Sequence, residues 1–521
     1  MMSEAAIRET LDEAGLWPAP GGGPELSLAL TPGEDLLPAI CRAWDAWRAS
    51  ADPRRQAAAR ARAAALHQAR NVGARLTWGV PGLDMARLSD WLGPRLVWWP
   101  GGVPAGRGVG LVSSRLGQEL DHHKAWFAVL RTACMRLDPQ HDVLVTAGTT
   151  AGQRFVQRCG QLFGLRTLSI EIDREDRLSW CGWGRRVLAS MPDTPTAAFR
   201  ALISPPLEAD NGPPARAGLA ELPAPDRAIL ALGDRIIALH VRPEGNLLRL
   251  LRLRLRQACA PAASVFLALG PDLIRSDQAA ELLDSGAVGW LVMNAAGEPE
   301  HDPSTPWLAA PAVERSAAPL APCPPADDWP YLTHCTRRRT GPWPGEHEDH
   351  FLDDLILDRA GADHSALAAL WRIARSGRLI AGSDFVRGET PVVSFTAVPL
   401  PDIGTLRTFR AHLSRWDFEP YGICIRRDWL QRRGTRPVLY GDESLWGALP
   451  TADRPFFQKR ASETASGRVL DWTVEQEWRH VGDLRLDGIP ADAALLFVPS
   501  AAEAWQLAAS SPWPVVVANA C

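Results

Sequence analysis

The sequence predicts an α/β protein in which a doubly wound parallel sheet is preceded by a helical region and followed by a separate α+β domain. Two observations lead to this prediction. Through the middle of the chain, short apolar runs bounded by glycine alternate with helical patterns, which is typical of parallel strands buried on both faces. A proline-rich stretch, 310–328, then interrupts the pattern, and so many prolines exclude a helix interior or a central strand.

These patterns divide the 521 residues into four segments. We expect a helical region at 1–90, a doubly wound domain at 91–309, a proline-rich linker at 310–328 and an α+β domain at 329–521. Within the first segment, the stretch 54–70 (RRQAAARARAAALHQAR) is strongly helix-prone. Its arginines could contact phosphates, but we prefer the interpretation that they form a solvated helix face.

The middle segment alternates predicted strands with helical stretches such as QELDHHKAWFAVLRTACMRL and AGQRFVQRCGQLFG. In chain order the predicted strands are RLVWWP (95–100), GVGLVSS (108–114), DVLVTAG (142–148), TLSIEI (167–172), AILALG (228–233), RIIALHV (235–241), VFLALG (265–270) and VGWLVMN (288–294). Because helical patterns separate short apolar runs, we expect a parallel sheet covered by helices on both faces.

The last segment opens with helical patterns and continues with strands. The helical patterns are FLDDLILDRA (351–360) and SALAALWRIARSG (365–377). The predicted strands are VVSFTAV (392–398), YGICIRR (421–427), RPVLYG (436–441), WRHVGDL (478–484) and ALLFVPS (494–500). This order predicts a mixed α+β domain.

The composition excludes several classes of protein. The chain has 56 Lys and Arg residues and 60 Asp and Glu residues, which gives a net charge of −4. This charge provides no overall attraction to nucleic acid, so nucleic-acid binding would require a local basic patch. No apolar run of about 18 residues predicts a membrane span, and the acidic N-terminus lacks a signal-peptide pattern. Nine cysteines without a C-x-x-C pair predict reduced thiols, a cytoplasmic location and no cysteine zinc site. Abundant Ala, Arg, Gly and Pro are typical of a GC-rich bacterial genome.

Three strand-to-helix turns of the middle segment carry small or phosphate-binding residues. They lie in GVGLVSSRLG, VLVTAGTTAGQRF and ALHVRPEGNLLRLL. Small residues let the backbone approach a phosphate, hydroxyls add donors, and an arginine can form a fork onto an anion. The alternative is that these residues are ordinary helix caps. The predicted ligand-binding residues are Ser113, Ser114, Arg115, Gly148, Thr149, Thr150, Arg242, Gly245 and Asn246.

The same three strings resemble the Rossmann-like (SLOG) superfamily of DNA-processing protein A and the cytokinin-activating LOG enzymes. This resemblance implies that 91–309 is a Rossmann-like nucleotide-binding domain, with a nucleotide-type small molecule as ligand. The enzymatic branch of the superfamily carries a P-G-G-x-G-T-x-x-E motif. Here Pro100-Gly101-Gly102 lacks the following Gly-Thr and Glu, so the resemblance implies binding or sensing and not phosphoribohydrolase activity.

In the last segment the string WTVEQEWRH is the main candidate for chemistry. If it forms a strand, Glu475 and Glu477 lie on one face, since side chains alternate along a strand. Paired carboxylates there could orient a ribose hydroxyl and stabilise positive charge at an anomeric carbon. Arg479 continues the same face, and from periodicity alone we prefer the alternative of a Glu–Arg ion-pair ladder at a solvated edge.

The order PYLTHCTR, VVSFTAV and a late E-x-E resembles the ADP-ribosyltransferase fold. The resemblance implies NAD as cosubstrate. It implies that His334 binds the NAD ribose, that Ser394 sits on the second core strand, that Glu477 is catalytic and that Glu475 directs the acceptor. The stretch 407–479 also resembles abortive-infection proteins of the AbiGi type, which implies a role in phage defence.

No metal site is predicted. His347, His350 and His364 lie among acidic residues without the spacing of a recognised site, and the adjacent His122 and His123 would point to different helix faces. The leading hypothesis is a nucleotide-sensing Rossmann-like domain coupled to an NAD-using effector that transfers or hydrolyses ADP-ribose. The alternative is a non-catalytic nucleotide- or nucleic-acid-binding protein whose C-terminal domain recruits partners. The sequence leaves the oligomeric state open.

Overall fold

The structure is a computed structural model, and its chain divides into two compact units. The first unit is Met1–Glu298 with Leu355–Asp358, and the second is Pro299–Asp354 with Arg359–Cys521. Each unit has its own sheet and its own core. The structure describes residues 4–18, 33–50, 53–80, 90–172, 179–194, 199–207, 219, 221–256, 264–291, 320–383, 386–410, 415–463 and 469–518.

The first unit contains a nine-stranded, mostly parallel sheet with the strand order β1-β2-β6-β5-β4-β3-β7-β8-β9. In chain order the strands are β1 (Arg75–Trp78), β2 (Leu96–Trp99), β3 (Arg107–Ser113), β4 (Asp142–Ala147), β5 (Arg166–Glu171), β6 (Phe199–Ile203), β7 (Arg235–His240), β8 (Val265–Leu269) and β9 (Val288–Leu291). The strands from β6 to β9 in this order pair in parallel, whereas β1 and β2 are antiparallel. The predicted doubly wound α/β fold is confirmed.

Helices cover the sheet of the first unit. They are α1 (Glu4–Glu13), α2 (Leu37–Ser50), α3 (Pro53–Asn71), α4 (Lys124–Met135), α5 (Gln153–Leu162), α6 (Trp180–Ala189), α7 (Ala224–Leu232), α8 (Asn246–Leu255) and α9 (Ser276–Asp284). Buried residues of α1 to α3, among them Ile7, Leu11 and Ile40, form one core cluster with Trp98 of β2. The N-terminal region thus supplies three helices and also β1, which pairs with β2.

The prediction of a strand at 228–233 is wrong, because these residues form the end of α7 and the turn after it. Every residue from Ala228 to Leu232 is buried, and a helix buried on all sides has the same continuous apolar pattern as a buried strand. Pro225 in the first helical turn and the neighbouring alanines favour the helix. The strand signal belongs to the next segment, β7.

The strand order reverses between β3 and β7. The connection from β3 leads through α4 to β4 on one side, whereas the connection from β7 leads through α8 to β8 on the other side. In open α/β sheets, ligands bind outside the carboxyl ends of the strands at such a switch point. The turns that follow β3, β4 and β7 therefore mark the position where a ligand site of this unit is expected.

The second unit is built on a seven-stranded sheet with the order β16-β21-β12-β10-β15-β23-β24. Its strands are β10 (Tyr331–Cys335), β11 (Arg378–Leu379), β12 (Val392–Thr396), β13 (Thr408–Arg410), β14 (Arg415–Asp417), β15 (Gly422–Arg426), β16 (Arg436–Pro437), β17 (Leu439–Gly441), β18 (Phe457–Lys459), β19 (Ala461–Glu463), β20 (Val469–Asp471), β21 (Glu477–Val481), β22 (Leu484–Arg485), β23 (Ala494–Val498) and β24 (Val515–Val517). The helices of this part of the chain are α10 (Glu348–Leu357), α11 (Ala366–Ser376), α12 (Arg427–Gln431), α13 (Glu443–Ala448) and α14 (Ala501–Ala508).

Alternating side chains give this sheet two buried faces. In β15, Ile423 and Ile425 belong to one core cluster and Cys424 to the other. The larger cluster includes Leu370 of α11 and Leu507 of α14. Between β10 and β12 the ladder consists of a single residue pair, Thr333 with Thr396, so the two strands separate beyond that point.

The sequence also leads to predictions about the linker, membrane-spanning helices and the cysteines. Residues 310–319 of the predicted linker lie outside the described residues, and so do residues 292–294 of the strand predicted at 288–294. None of the helices in the described ranges is long and apolar enough to cross a membrane. The expectation of uniformly reduced thiols is wrong at Cys323, which is disulfide-bonded. Within the described ranges six cysteines are free, namely Cys41, Cys134, Cys159, Cys181, Cys335 and Cys424.

Candidate functional site

The second unit contains a large cleft of about 1710 Å³ at the point where β10 and β12 separate. His334 of β10, Ser394 of β12 and Glu477 of β21 all line it. These three strands are neighbours in the sheet, although 143 positions separate the first residue from the last. Glu475 lines the same cleft, so the structure brings together all four predicted catalytic residues.

Glu477 is held in a fixed geometry by its neighbours. Its carboxylate accepts hydrogen bonds from Arg479 Nε and Nη2, both at 2.9 Å, and from Ser394 Oγ at 2.8 Å. Its backbone N–H donates to the Tyr440 hydroxyl at 2.9 Å. Such charge-assisted, bidentate contacts fix both the position and the orientation of a carboxylate.

Arg479 is buried, with a side chain only 3% exposed, so its charge needs partners inside the protein. Its remaining donors reach the carbonyl oxygens of Pro455 and Phe457 at 3.0 and 2.8 Å and Gln458 Oε1 at 2.8 Å. The Glu–Arg pair expected from the sequence thus exists, but it is internal. It does not form a ladder at a solvated edge, because β21 lies between β16 and β12.

His334 bridges the gap between the separated strands. Its Nδ1 lies 2.9 Å from the carbonyl oxygen of Ser394. A carbonyl oxygen only accepts, so Nδ1 carries the proton and a neutral ring leaves Nε2 as an acceptor. Burial lowers the pKa of His334 to about 4, and Arg337 adds to this effect against the opposing Ser394 bond. The ring is therefore neutral at pH 7 and suited to accept a hydrogen bond from a hydroxyl.

Glu475 reaches the cleft by a route that strand periodicity does not predict. Residues Trp472–Glu475 form a single 3₁₀ turn, and Gln476 adopts a left-handed conformation with φ of +43° before β21 begins at Glu477. The expectation that Glu475 and Glu477 alternate along one strand is therefore wrong. The turn is fixed by Thr396, whose hydroxyl donates to the carbonyl oxygen of Glu475 at 2.6 Å.

The surroundings of Glu475 favour its protonated form. Burial, together with the negative charge of Glu477, raises the pKa of Glu475 to about 7. Arg410 opposes this rise from 3.5 Å. Two carboxyl groups of one cleft thus have different environments, since Glu477 is paired with a buried arginine and Glu475 is not.

The charge of the cleft differs from the charge of the chain. Nine arginines line it: Arg337, Arg338, Arg339, Arg372, Arg375, Arg378, Arg410, Arg415 and Arg479. Four carboxylates line it as well, namely Asp363, Asp417, Glu475 and Glu477. A chain whose net charge is −4 thus carries a cationic cleft that favours an anionic ligand.

In the first unit, the turns that follow β3, β4 and β7 lie side by side at the switch point, because these three parallel strands are neighbours in the sheet. Ser114 links two of the three turns, because its N–H donates to the carbonyl oxygen of His240 at 2.8 Å and its hydroxyl accepts from the Arg242 N–H at 3.0 Å. A Cβ on Gly245 would lie 4.0 Å from the same hydroxyl. Gly245 caps α8 without a side-chain acceptor, and Asn246 is the first residue of that helix.

The turn after β4 lies next to Ser113 and contains a strained residue. A Cβ on Gly152 in this turn would lie 3.7 Å from the Ser113 Cβ. Thr149 has a φ of +69°, which is unfavourable for a β-branched residue. The three N–H groups expected to cradle a phosphate have acceptors within the protein: Gly148 donates to Ile170 O, Thr149 to Gln153 Oε1 and Thr150 to Ala147 O. A phosphate at this turn would have to displace those bonds.

Several residues near the two sites were not predicted from the sequence. Around the switch point, Trp126 Nε1 donates to Ser113 Oγ at 3.0 Å, and Trp126 and His123 line a cavity of about 380 Å³. In the second unit the missed residue is Thr396. It had a signal, since it shares the alternating face of β12 with Ser394.

No group of three or more His, Cys, Asp or Glu side chains able to hold a metal ion occurs within the described residues. His122 ends a 3₁₀ turn and His123 precedes α4, so the pair does not lie within a helix as the sequence suggested.

Comparisons with known proteins add little to this description. No protein-family model matches the chain, and no curated protein matches it. A search of solved structures finds similarity to the X-ray structure of DNA processing protein A (DprA) from Streptococcus pneumoniae. The match has 15% sequence identity and a TM-score of 0.27, and it covers 56% of this chain and 95% of that chain. A similarity of this size carries no functional conclusion, and the Rossmann-like fold of the first unit rests on its own sheet topology.

Proposed function

We propose that the cleft of the second unit binds NAD and that Glu477 promotes cleavage of the bond between nicotinamide and ribose. One observation carries the proposal. His334, Ser394 and Glu477 lie on three adjacent strands and line one cationic cleft, and Ser394 Oγ donates to Glu477 at 2.8 Å. An ADP-ribosyltransferase-like site requires this order of residue types.

The size and charge of the cleft support NAD as the substrate. A volume of about 1710 Å³ exceeds the roughly 300–1,000 Å³ of typical small-molecule sites, so it has room for a dinucleotide. The arginines of the cleft suit a pyrophosphate, because guanidinium groups form paired hydrogen bonds with phosphate oxygens. Trp472 and Phe418 on its wall offer aromatic faces for a base or a nicotinamide ring.

Each residue has a role that follows from its chemistry. Glu477, aligned by Arg479 and Ser394, accepts a hydrogen bond from a ribose hydroxyl and stabilises the positive charge that develops at C1′. His334 Nε2 accepts from a second hydroxyl. In the reaction the C1′–N bond breaks, nicotinamide leaves with the electron pair, and water or an acceptor nucleophile forms the new bond to C1′. Glu475, whose pKa lies near neutrality, takes the proton of that nucleophile.

We further propose that the switch point of the first unit binds the nucleotide-type ligand that regulates this reaction. Ser114, Arg242 and the start of α8 supply hydroxyl, guanidinium and backbone N–H donors at the edge where ligands of such sheets bind, whereas the Ser113 hydroxyl already donates to the carbonyl oxygen of Ser114 at 2.8 Å. The resemblance to AbiGi-type proteins and a role in phage defence stay predictions from the sequence.

The test is nicotinamide release from NAD by the full-length protein, with and without a panel of nucleotides. Glu477→Asp keeps the charge but withdraws the carboxylate by one methylene. We expect it to lower release at least tenfold, because misplacement of a catalytic group by about 1 Å costs up to ~10²-fold. Glu503→Gln is the matched control, since Glu503 lies outside the cleft and bonds Tyr421.

If no nicotinamide is released under any condition while nucleotides raise the melting temperature, the enzyme proposal fails. The alternative, a non-catalytic nucleotide-binding protein, then remains. Release that Glu477→Asp leaves unchanged would place the chemistry elsewhere in the molecule.

A further inference from the structure

A short hairpin beside the cleft has two chemically different faces. Strands β13 and β14 pair antiparallel, with Phe409 opposite Trp416 and Arg410 opposite Arg415. Because side chains alternate, the aromatic pair occupies one face and the charged residues the other.

The charged face anchors the hairpin to the turn that carries Glu475. Arg410 lies 2.9 Å from Asp417 and 3.5 Å from Glu475, and its guanidinium lies 5.0 Å from the Trp472 ring centroid. The side chains of Arg410 and Asp417 are only 14% and 20% exposed. This face is therefore part of the cleft wall.

The aromatic face is exposed. Phe409 is 48% and Trp416 42% exposed, and their ring centroids lie 5.3 Å apart. The exposed Arg407 places its guanidinium 4.7 Å from the Trp416 ring centroid. Neither NAD chemistry nor the packing of the core explains why two large aromatic side chains remain at the surface here.

We propose that the aromatic face of this hairpin, with Arg407 beside it, binds a single-stranded nucleic acid that passes over the edge of the hairpin to the arginines of the cleft on its other face. Stacking platforms next to a cationic groove are the features that recognise unpaired bases and their phosphates without sequence preference. Charge complementarity favours this ligand over a neutral or basic protein segment, and the pair of aromatic rings favours unpaired bases over an acidic segment. The arginines of the cleft outnumber its carboxylates by five, and by four when Asp483, the ion-pair partner of Arg378, is counted.

The geometry also selects single strands over duplexes. Bases inside a duplex are stacked on one another and cannot reach the faces of Phe409 and Trp416. The net charge of −4 does not oppose such binding, because phosphates interact with charges within about one Debye length, roughly 10 Å.

The test uses a fluorescein-labelled 20-nucleotide oligothymidylate and the full-length protein, with fluorescence anisotropy as readout and no NAD present. We expect wild-type binding that weakens with added salt. Trp416→Leu should weaken it roughly tenfold, whereas Trp416→Phe, which keeps an aromatic face, should stay within about threefold. Trp505→Leu is the matched control, since Trp505 is 64% exposed on α14 and belongs neither to the hairpin nor to the cleft.

Three results would overturn the proposal. These are absence of binding, equal affinity for a duplex of the same length, and wild-type affinity in Trp416→Leu. Absence of binding would leave the aromatic pair as a protein-docking surface. Because the assay contains no NAD, its outcome is independent of whether the cleft cleaves NAD, and failure of one proposal does not imply failure of the other.

Discussion

Replacing Glu475 by glutamine should make the second unit more stable above pH 7 and leave its stability unchanged at pH 4.5 and below. The pKa of Glu475 rises from an ordinary 4.5 to about 7 in the folded protein, mainly through burial. Between these two values the unfolded chain loses its proton before the folded chain does. The folded state then binds more protons than the unfolded state, so stability falls as the pH rises through this window.

The size of this effect follows from the same values. A rise from 4.5 to about 7 corresponds to a loss of about 3 kcal/mol, reached in full above pH 7. Glu475→Gln keeps the size of the side chain and removes the charge, so it should recover up to about 3 kcal/mol at pH 8. For a unit of this size that is roughly 6–12 °C in melting temperature. Loss of the 3.5 Å contact with Arg410 reduces the gain somewhat.

Differential scanning calorimetry of wild type and Glu475→Gln at pH 5 and pH 8 measures this difference. Glu443→Gln is the control, because Glu443 is a surface residue with a 65% exposed side chain and a pair with Arg387 of little expected value. The reasoning is refuted if Glu475→Gln raises the melting temperature equally at both pH values, or lowers it at pH 8.

Two further perturbations test the surroundings of the sites. Arg479→Met should destabilise the second unit by about 3–5 kcal/mol, because it leaves the Glu477 carboxylate without its partner, and adding Glu477→Gln should restore part of this loss. Chemical denaturation of the two single variants and of the double variant measures the coupling between the two residues. Purely additive losses of stability would contradict a buried ion pair. Thr149→Gly should stabilise the first unit by about 1 kcal/mol, since glycine adopts the positive φ of this turn without strain. An unchanged or lower melting temperature of the first unit would mean that Thr149 is not strained.

The sequence predicts the fold of the first unit well where helix and strand patterns differ, and poorly where they coincide. Glycine-bounded apolar runs gave β3, β4, β5, β7 and β8 in their correct places. The run 228–233 was misassigned because a helix buried on all sides has no polar face to reveal its period. The pairing of β1 with β2 depends on contacts between distant segments, which periodicity does not encode.

The candidate site shows the same division between local and non-local information. Residue types at His334, Ser394 and Glu477 were predicted from motif order, and the sheet places them on neighbouring strands. The path from Glu475 to Glu477 was not predictable, because a single left-handed residue, Gln476, replaces the expected alternation. The backbone partners of Arg479 were equally hidden, since the carbonyl oxygens of Pro455 and Phe457 come from another part of the chain.

The role of Glu477 is tested most directly by measuring NAD binding and nicotinamide release side by side in wild type and Glu477→Asp. Calorimetric titration gives the affinity, and chromatographic assay of nicotinamide gives the rate on the same samples. We expect the Kd for NAD to change less than about threefold while the rate falls at least tenfold, because the carboxylate acts on the transition state more than on bound substrate. A variant that binds and cleaves NAD like the wild type, or a wild type that binds NAD and releases no nicotinamide, would contradict a catalytic role for Glu477.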